Sequence, residues 1–421
     1  MKKFAFIALL SVSVLTIAGC GRTRAQDGKL PSGGTQVDIY SEEGKKELLN
    51  VQTGMAEKYA SSELNSFGVD LSLKDINYST ELSNFNMGGA LSGPASASIK
   101  MKNLGANLAV KLAKSAEGNV DASANLDNVK GNFEVKANIP HMAAAEGNDV
   151  NVDASLDISG ANAAAYYKGE YIYIDASHLD GVVSKAETFA NNVLDGLNNS
   201  FVAAYYPAAI LSFLDENGHL PLKQYWDSLF EGAEGKKISF YEGATGWLSD
   251  EDQDSLVSYL QNIDVVSLVE MANEVGIDTE FVVYKEGTFG FQLSLDKEGL
   301  FGIINNLLGE AAESAASVLN IVSDAISNFE ISAAFYFEDY LLQSASLAAN
   351  VAVSVSDLGS FVPEEAKEEV GLTGSISASF SGSVSADISY NNVQVSFPDL
   401  SGYVLLENEA KSGPESSPEL E

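Results

Sequence analysis

The sequence predicts an α+β fold in which helices pack on one face of a large, curved, half-barrel-like antiparallel β-sheet. Apolar and polar residues alternate in two blocks of the chain, and apolar residues recur every three or four positions in a block between them. Short turn sequences join the alternating segments, as they do in antiparallel hairpins. Strands, then helices, then strands are typical of helices gathered on one face of an antiparallel sheet.

The first residues have the pattern of a secretory signal peptide. Lys2 and Lys3 provide a positive start, and residues 4–17 are apolar. This run is too short to span a bilayer comfortably, because a transmembrane helix needs about 20 apolar residues. We therefore expect residues 1–19 to be removed.

The end of this segment, Ile17-Ala18-Gly19-Cys20, resembles the lipobox of bacterial lipoproteins. The resemblance implies cleavage before Cys20 and lipid attachment to its thiol. Cys20 is the only cysteine, so an internal disulfide is excluded. Two or more acyl chains are sufficient for stable membrane anchoring. The alternative is an ordinary cleavage site with an incidental cysteine.

The rest of the chain divides by composition into three parts. Residues 20–36 are polar and contain several glycines, which predicts a flexible tether. Residues 37–406 form the α+β domain, as one unit or two fused units. Residues 407–421 are acidic and contain two prolines, which predicts a disordered tail.

The charge excludes one class of partner. The sequence has 24 Lys and Arg against 59 Asp and Glu, a net charge of −35. Nucleic acid binding requires clustered basic residues, and no basic run after the signal is longer than two residues, as in Lys236-Lys237. We therefore expect no nucleic acid partner, and we expect the lipid rather than a polybasic face to hold the protein at the membrane.

The first block, Ser66 to Ala176, alternates as strands of an antiparallel meander. Asp127-Asn128 and residues 146–149 are interpreted as hairpin connections. Residues 166–174, Tyr-Tyr-Lys-Gly-Glu-Tyr-Ile-Tyr-Ile, predict a hairpin that turns at residues 168–170.

The second block, Leu179 to Val275, is helical. Val183, Phe189, Val193 and Leu197 have helical spacing, and Pro207 interrupts the pattern. Further helices are expected after Pro221, and after residues 249–252, which resemble a helix N-terminus with acids in its first turn.

The third block returns to strands. A hairpin at residues 280–284 and 289–295 precedes helices at 297–308 and 310–328. Later strands are expected at residues 330–337, 344–355, 376–390 and 393–397, with a bend or turn at Ser381-Gly382-Ser383.

This arrangement resembles the LolA/LolB and LppX/LprG-type lipoproteins. The resemblance is carried by the lipobox, the tether, the curved sheet with helices, and the tyrosine-rich hairpin at 166–174. It implies a half-barrel that wraps over helices, with a cavity for acyl chains. The chain is longer than a usual member and has no matching ligand residues, so the ligand-binding residues are unknown.

The reactive residues do not predict an enzyme. His141, His178 and His219 are far apart and lie outside any zinc-binding motif, and the sequence has no Gly-x-Ser-x-Gly elbow. Residues 250–254 begin like a calcium loop, but Ser255 replaces the turn glycine and Gln261 the bidentate glutamate. We therefore expect no catalytic residue, no metal site and no cofactor.

Two function classes remain open. One is a lipoprotein on the extracytoplasmic face of a bacterial cell membrane or outer membrane that binds or carries a lipid or another hydrophobic ligand. The other is a non-enzymatic cell-surface protein for adhesion, envelope structure or partner binding. An enclosed apolar cavity favours the first class, and an exposed apolar patch over a well-packed core favours the second.

Overall fold

The computed structural model describes residues 24–62, 65–114, 120–143, 147–169, 171–205, 213–230, 235–239, 250–309, 311–362 and 364–405. The predicted signal peptide, Cys20 and the predicted acidic tail lie outside the described residues.

The fold is α+β, as the sequence predicts, and its strands form one large open sheet. The fourteen strands are β1 Thr35–Val37, β2 Ser66–Met87, β3 Ala95–Lys114, β4 Val120–Ile139, β5 Val150–Asp157, β6 Ala163–Lys168, β7 Tyr171–Asp175, β8 Gly235–Ser239, β9 Asp278–Lys285, β10 Thr288–Asp296, β11 Ile326–Glu338, β12 Leu341–Val355, β13 Leu372–Tyr390 and β14 Tyr403–Leu405. Their order is β1-β9-β10-β11-β12-β13-β2-β3-β4-β6-β7-β8-β14, and β5 also pairs with β4. The β8–β14 pair is parallel and the other pairs are antiparallel.

The helices lie beside this sheet. The described α-helices are α1 Glu42–Ser61, α2 Asp180–Asn198, α3 Leu222–Phe230, α4 Asp250–Asn262, α5 Val265–Glu274, α6 Lys297–Leu308, α7 Ala311–Ala325 and α8 Lys367–Val370. Helices α2 to α7 confirm the predicted helical segments. Helices α1 and α8 and strands β1, β8 and β14 were not predicted from the sequence.

The register gives the sheet one apolar and one polar face. One row of paired residues is Ala154, Val135, Ile99, Thr80, Ala378 and Val353. The adjacent row, on the opposite face, is Asp153, Lys136, Ser98, Glu81, Ser377 and Ser354. We call these the apolar face and the polar face. The alternation in the sequence thus separates charged and apolar side chains across these six strands.

Irregularities within the long strands bend the sheet. Asp75, Asn103 and Asn128 have φ near +50°, and the ladder shifts register beside each of them. Such bulges increase the bend and twist of a strand. The expected bend at Ser381-Gly382-Ser383 is confirmed, since the β13–β2 register shifts there. The interpretation of Asp127-Asn128 as a hairpin connection is wrong, because both residues lie within β4.

Two separate helical groups cover the two ends of the apolar face. Toward one edge, Leu48 and Val51 of α1 pack with Phe281, Phe289 and Phe337 of the sheet, and all five are buried. Toward the other edge, the largely apolar side of α2 packs on the buried face of β5; the residues are Phe189, Val193, Leu197, Val150, Val152 and Ala154. Both groups lie on the apolar face.

The two ends of the described chain cross the polar face. Residues 24–31, here called the N-terminal strap, place Ala25 in a small core with Ala334 and Tyr336. Residues 24–36 of the predicted flexible tether therefore belong to the fold, because their backbone groups hydrogen-bond to sheet side chains.

Residues 393–402, the C-terminal strap, cross the polar face before β14 pairs with β8. Val393 N donates to Ser66 Oγ at 2.9 Å, and Phe397 contacts Tyr166. The predicted strand at 393–397 is wrong, because this segment runs across the sheet instead of pairing along a strand.

Candidate hydrophobic ligand site

The middle of the apolar face has large apolar side chains exposed to solvent. Phe380 of β13 pairs with Tyr78 of β2, and Ile376 lies further along the same face. Ile99 of β3 is paired with Thr80 of β2. The exposed fractions are 38% for Phe380, 39% for Tyr78, 40% for Ile376 and 51% for Ile99. These four residues and their paired neighbours form the floor of what we call the trough.

Helix α2 packs on β5 to one side of this floor, and on the other side α7 runs directly into the start of β11. Strands β13, β2 and β3 lie between these two regions, so β12 and β4 are about 19 Å apart at about 4.8 Å per strand. Since a helix is about 10 Å thick, α2 provides a wall beside an open floor. Among the described residues, this part of the apolar face forms an open trough.

The floor is uncharged. The paired rows that form it contain Val, Phe, Tyr, Met, Ala, Thr, Ile and Leu and no charged residue. Its hydroxyl groups bond to each other, since Tyr78 Oη and Thr80 Oγ1 are 2.7 Å apart. A ligand on this floor is therefore held by apolar contacts and not by an ion pair.

The charges of the same strands lie on the polar face. Lys100 and Glu81 are 3.2 Å apart, and Lys102 and Glu134 are 3.4 Å apart. Hydrogen bonds from Lys100 and Lys102 lower the pKa of Glu81 and of Glu134, respectively, below the usual value of a glutamate. Lys136 lies 3.5 Å from Asp153, whose charge raises the pKa of this lysine. These charged pairs therefore remain in contact with water on the polar face, and none of them lies on the trough floor.

Two clefts lie outside the trough floor, and both include charged residues. A groove of about 450 Å³ lies at the ends of β2 to β5 and includes Glu81, Lys100 and Lys136. A second cleft of about 360 Å³ lies between α1 and the turns of two hairpins, and includes Glu47, Glu286 and Tyr340. Charged side chains thus line both clefts, whereas a lipid cavity is lined predominantly by hydrophobic side chains.

One histidine lies beside a serine and an aspartate, but not in the arrangement of a catalytic triad. His141 Nδ1 lies 2.8 Å from Asp149 Oδ1 and 3.3 Å from Ser92 Oγ. Both partners therefore contact the same ring nitrogen. A serine hydrolase requires the serine at one nitrogen and the aspartate at the other, so this cluster does not activate Ser92.

The other two histidines, His219 and His178, lie beside helix α2. His219 Nε2 lies 2.9 Å from Asp195 Oδ1 and joins a loop to α2. This hydrogen bond raises the pKa of His219. His178 lies in a short 3-10 helix before α2. Across the described ranges, no three His, Cys, Asp or Glu residues are grouped as a metal site.

The remaining sequence-predicted sites have separate outcomes. Cys20 lies outside the described residues, and the first described residue, Arg24, begins the N-terminal strap. Residues 250–262 form α4, which confirms a helix rather than a calcium loop. The trough residues were not predicted as a site. The alternation of β3 and β13 places them on the apolar face, but sequence alone does not show which part of that face is uncovered.

Comparisons with known proteins do not assign a family. No family model matches this chain, and no curated protein matches it. A solved structure of the outer membrane protease OmpT from Escherichia coli aligns over 78% of this chain and 100% of that chain, at 7% identity and a TM-score of 0.15. In the part of the chain that the structure describes, no helix combines the length and the apolarity needed to cross a membrane.

Proposed function

We propose that this protein is an extracytoplasmic lipoprotein, anchored through Cys20, that binds the acyl chains of a lipid or another amphiphile in the trough. The observation that carries the proposal is the exposed apolar floor formed by Tyr78, Ile99, Ile376 and Phe380. A contiguous exposed apolar surface typically marks an interaction site, whereas apolar residues scattered singly over a surface do not.

The exposure of the floor is energetically unfavourable unless a ligand covers it. Fully burying one large apolar side chain stabilises a complex by about 1.5–3 kcal/mol, so covering the exposed parts of these four side chains contributes a few kcal/mol, to which the buried methylenes of the ligand add. The sequence carries a net charge of −35, and yet the floor contains no charged residue. Selection for solubility alone would not leave four large apolar side chains together at the centre of one sheet face.

The chemistry of the floor favours acyl chains over polar ligands. The hydroxyl groups of Tyr78 and Thr80 hydrogen-bond to each other, and the other side chains in the paired rows of the floor are apolar. An acyl chain needs no hydrogen bond and gains free energy for each methylene that it buries, about 0.8 kcal/mol.

A second candidate function is docking of a protein partner on the same floor. The observation that favours it is the openness of the trough, since Ile99 remains 51% exposed. Protein interfaces place apolar residues at their centre with a polar rim. This alternative predicts that the floor stays free of lipid and binds a protein surface instead.

Lipid binding is tested on the mature chain with Cys20→Ser, so that no covalent lipid is present. The probes are a phospholipid followed by native mass spectrometry, and a fatty acid with a polarity-sensitive fluorophore followed by titration. We expect a bound mass at simple stoichiometry and saturable fluorescence. A chain that stays free of ligand after both exposures would contradict acyl-chain binding and would favour a protein partner.

Matched variants locate the binding surface. Ile99→Asp and Phe380→Asp place a charge on the floor, and each should weaken fluorophore binding about tenfold or more, the equivalent of about 1.4 kcal/mol. Ser98→Asp and Ser379→Asp place the same charge one residue away, on the polar face, and should bind like the parent protein. Equal effects in both pairs would show that the probe does not occupy the trough.

A further inference from the structure

The N-terminal strap fixes where the chain leaves the fold. Arg24 forms an ion pair with Asp387 of β13, and its side chain is 12% exposed. The next residue, Ala25, is buried, and its backbone N donates to Ser344 Oγ of β12 at 2.8 Å. The chain therefore enters the fold on the polar face near the middle of the sheet, beside the last residues of β13.

Further contacts hold the strap in this position. Ser383 Oγ donates to Asp27 Oδ1 at 2.7 Å, and Gly28 N donates to Ser346 Oγ at 3.1 Å. The hydroxyl of Tyr284 donates to the carbonyl oxygen of Pro31 at 2.5 Å. These contacts join the strap to β9, β12 and β13, so its first residue is tied to the sheet and not to a loop.

The connection between the strap and the predicted lipid is short. Cys20 and Arg24 are four residues apart, and four residues reach at most about 14 Å even when fully extended. The Cα atom of Cys20 must therefore remain within about this distance of the Cα atom of Arg24.

The trough lies further away than this, on the other face. From Asp387 to Phe380, β13 runs about seven residues, or about 23 Å. The trough opens on the face opposite the strap, beyond helices that are about 10 Å thick. A connection of about 14 Å is too short to bring Cys20 to the level of the trough opening.

We infer that the anchor turns the trough away from the membrane that holds the protein, so that the trough receives its amphiphile from the aqueous side. This inference rests on the proposed lipid anchor and the proposed ligand site. It adds the direction of loading: the ligand arrives as a dispersed amphiphile or on a soluble carrier, and is not taken laterally from the resident bilayer.

The orientation is measured on the full-length, lipidated protein in vesicles that contain a phospholipid with a nitroxide headgroup as quencher. Acylation occupies Cys20, the only cysteine, so a single introduced cysteine carries the fluorophore. Gln26→Cys labels the exposed strap, and Ile99→Cys labels the trough floor. We expect strong quenching of the fluorophore at residue 26. The fluorescence at residue 99 should be close to that of the same protein in vesicles without the quencher.

Strong quenching at residue 99 would overturn the inference, because the trough would then face its own bilayer. A variant with about 20 Gly and Ser residues inserted before Arg24 provides the control, since such a linker reaches about 25 Å and permits rotation. This variant should gain quenching at residue 99, and equally strong quenching in the short and long forms would also overturn the inference. A mass without acyl chains on Cys20 would reject the anchor, whereas absence of bound ligand in native mass spectrometry would reject the ligand site alone.

Discussion

Gly382 of β13 lies directly against Ile76 of β2, and there is no space between them for a side chain. A Cβ atom at position 382 would lie 2.5 Å from Ile76 Cδ1 and 2.8 Å from Ile76 Cα. Gly382 also has a φ of +151°, a conformation that other residues rarely adopt. This contact occurs where the register of β13 and β2 shifts. Glycine therefore permits the bend between the part of β13 that carries Phe380 of the trough and the part that carries Asp387 beside the N-terminal strap.

We expect Gly382→Ala to lower the free energy of unfolding by about 1–3 kcal/mol, because the new methyl group meets Ile76 and the backbone is strained. Urea unfolding followed by circular dichroism measures the change. Gly302→Ala in α6 is the control, since no atom outside its chain neighbours and its own helix backbone lies within 4 Å of the point that an added Cβ would occupy. It should be neutral or stabilising by up to about 1 kcal/mol. Similar losses in both variants would show that Gly382 has no special role.

The ion pair between Arg24 and Asp387 predicts a local effect on the N-terminal strap. In Asp387→Ala, the largely buried Arg24 loses its ion pair with Asp387, so the strap should detach more often. We expect trypsin to cleave after Lys29 at least several-fold faster. Glu134→Ala removes the carboxylate from an exposed pair with Lys102 and should leave this rate unchanged. An unchanged rate in Asp387→Ala would mean that the other strap contacts are sufficient.

The sheet itself was largely predictable from the sequence. In β5 and β13 apolar and polar residues alternate regularly, because successive side chains of a strand point to opposite faces of the sheet. The Asp127-Asn128 error has a physical reason. Asn adopts the left-handed conformation both in tight hairpin turns and in bulges, and the local sequence does not separate them.

Helix α1 was missed, although its sequence carries a signal. Ser41 caps the helix by accepting from Gly44 N at 3.0 Å, and Glu42 and Glu43 stand in the first turn. Leu48 and Val51 supply its buried side. A search for this cap with helical spacing behind it would have found α1.

The straps and the trough depend on contacts that no local pattern contains. Ala25 and Ser344 are separated by 319 positions in sequence, and their hydrogen bond is visible only in the folded chain. Likewise, the sequence places Ile99 and Phe380 on the apolar face but does not show where the helices dock. Exposure of the trough floor therefore follows from tertiary packing and not from alternation.

The contact between His219 and Asp195 predicts a pH-dependent contribution to stability. The Asp195 hydrogen bond raises the pKa of His219 above its ordinary 6.5, so the folded state binds the proton more tightly than the unfolded state. The stabilising effect is complete below pH 6.5 and is lost as the pH rises through the higher pKa of the folded state. NMR titration of the His219 ring should show the raised pKa, and Asp195→Asn should return it toward 6.5. A titration that is identical in the parent and the variant would contradict this role of Asp195.

The C-terminal strap predicts that one aromatic residue protects an edge of the sheet. Phe397 packs edge-on to Tyr166 at 6.2 Å between ring centroids, and Lys168 Nζ lies 4.7 Å from the Phe397 ring. The strap leads directly into β14, which covers the edge of β8. In Phe397→Ala, loss of these contacts should free the strap and expose β8, because β14 pairs over only three residues. Hydrogen exchange at residues 235–239 should therefore become faster, while exchange in β12 stays unchanged. Leu405→Ala removes a side chain that is 44% exposed and should have little effect. If both variants exchange like the parent protein, β14 holds the edge without help from the strap.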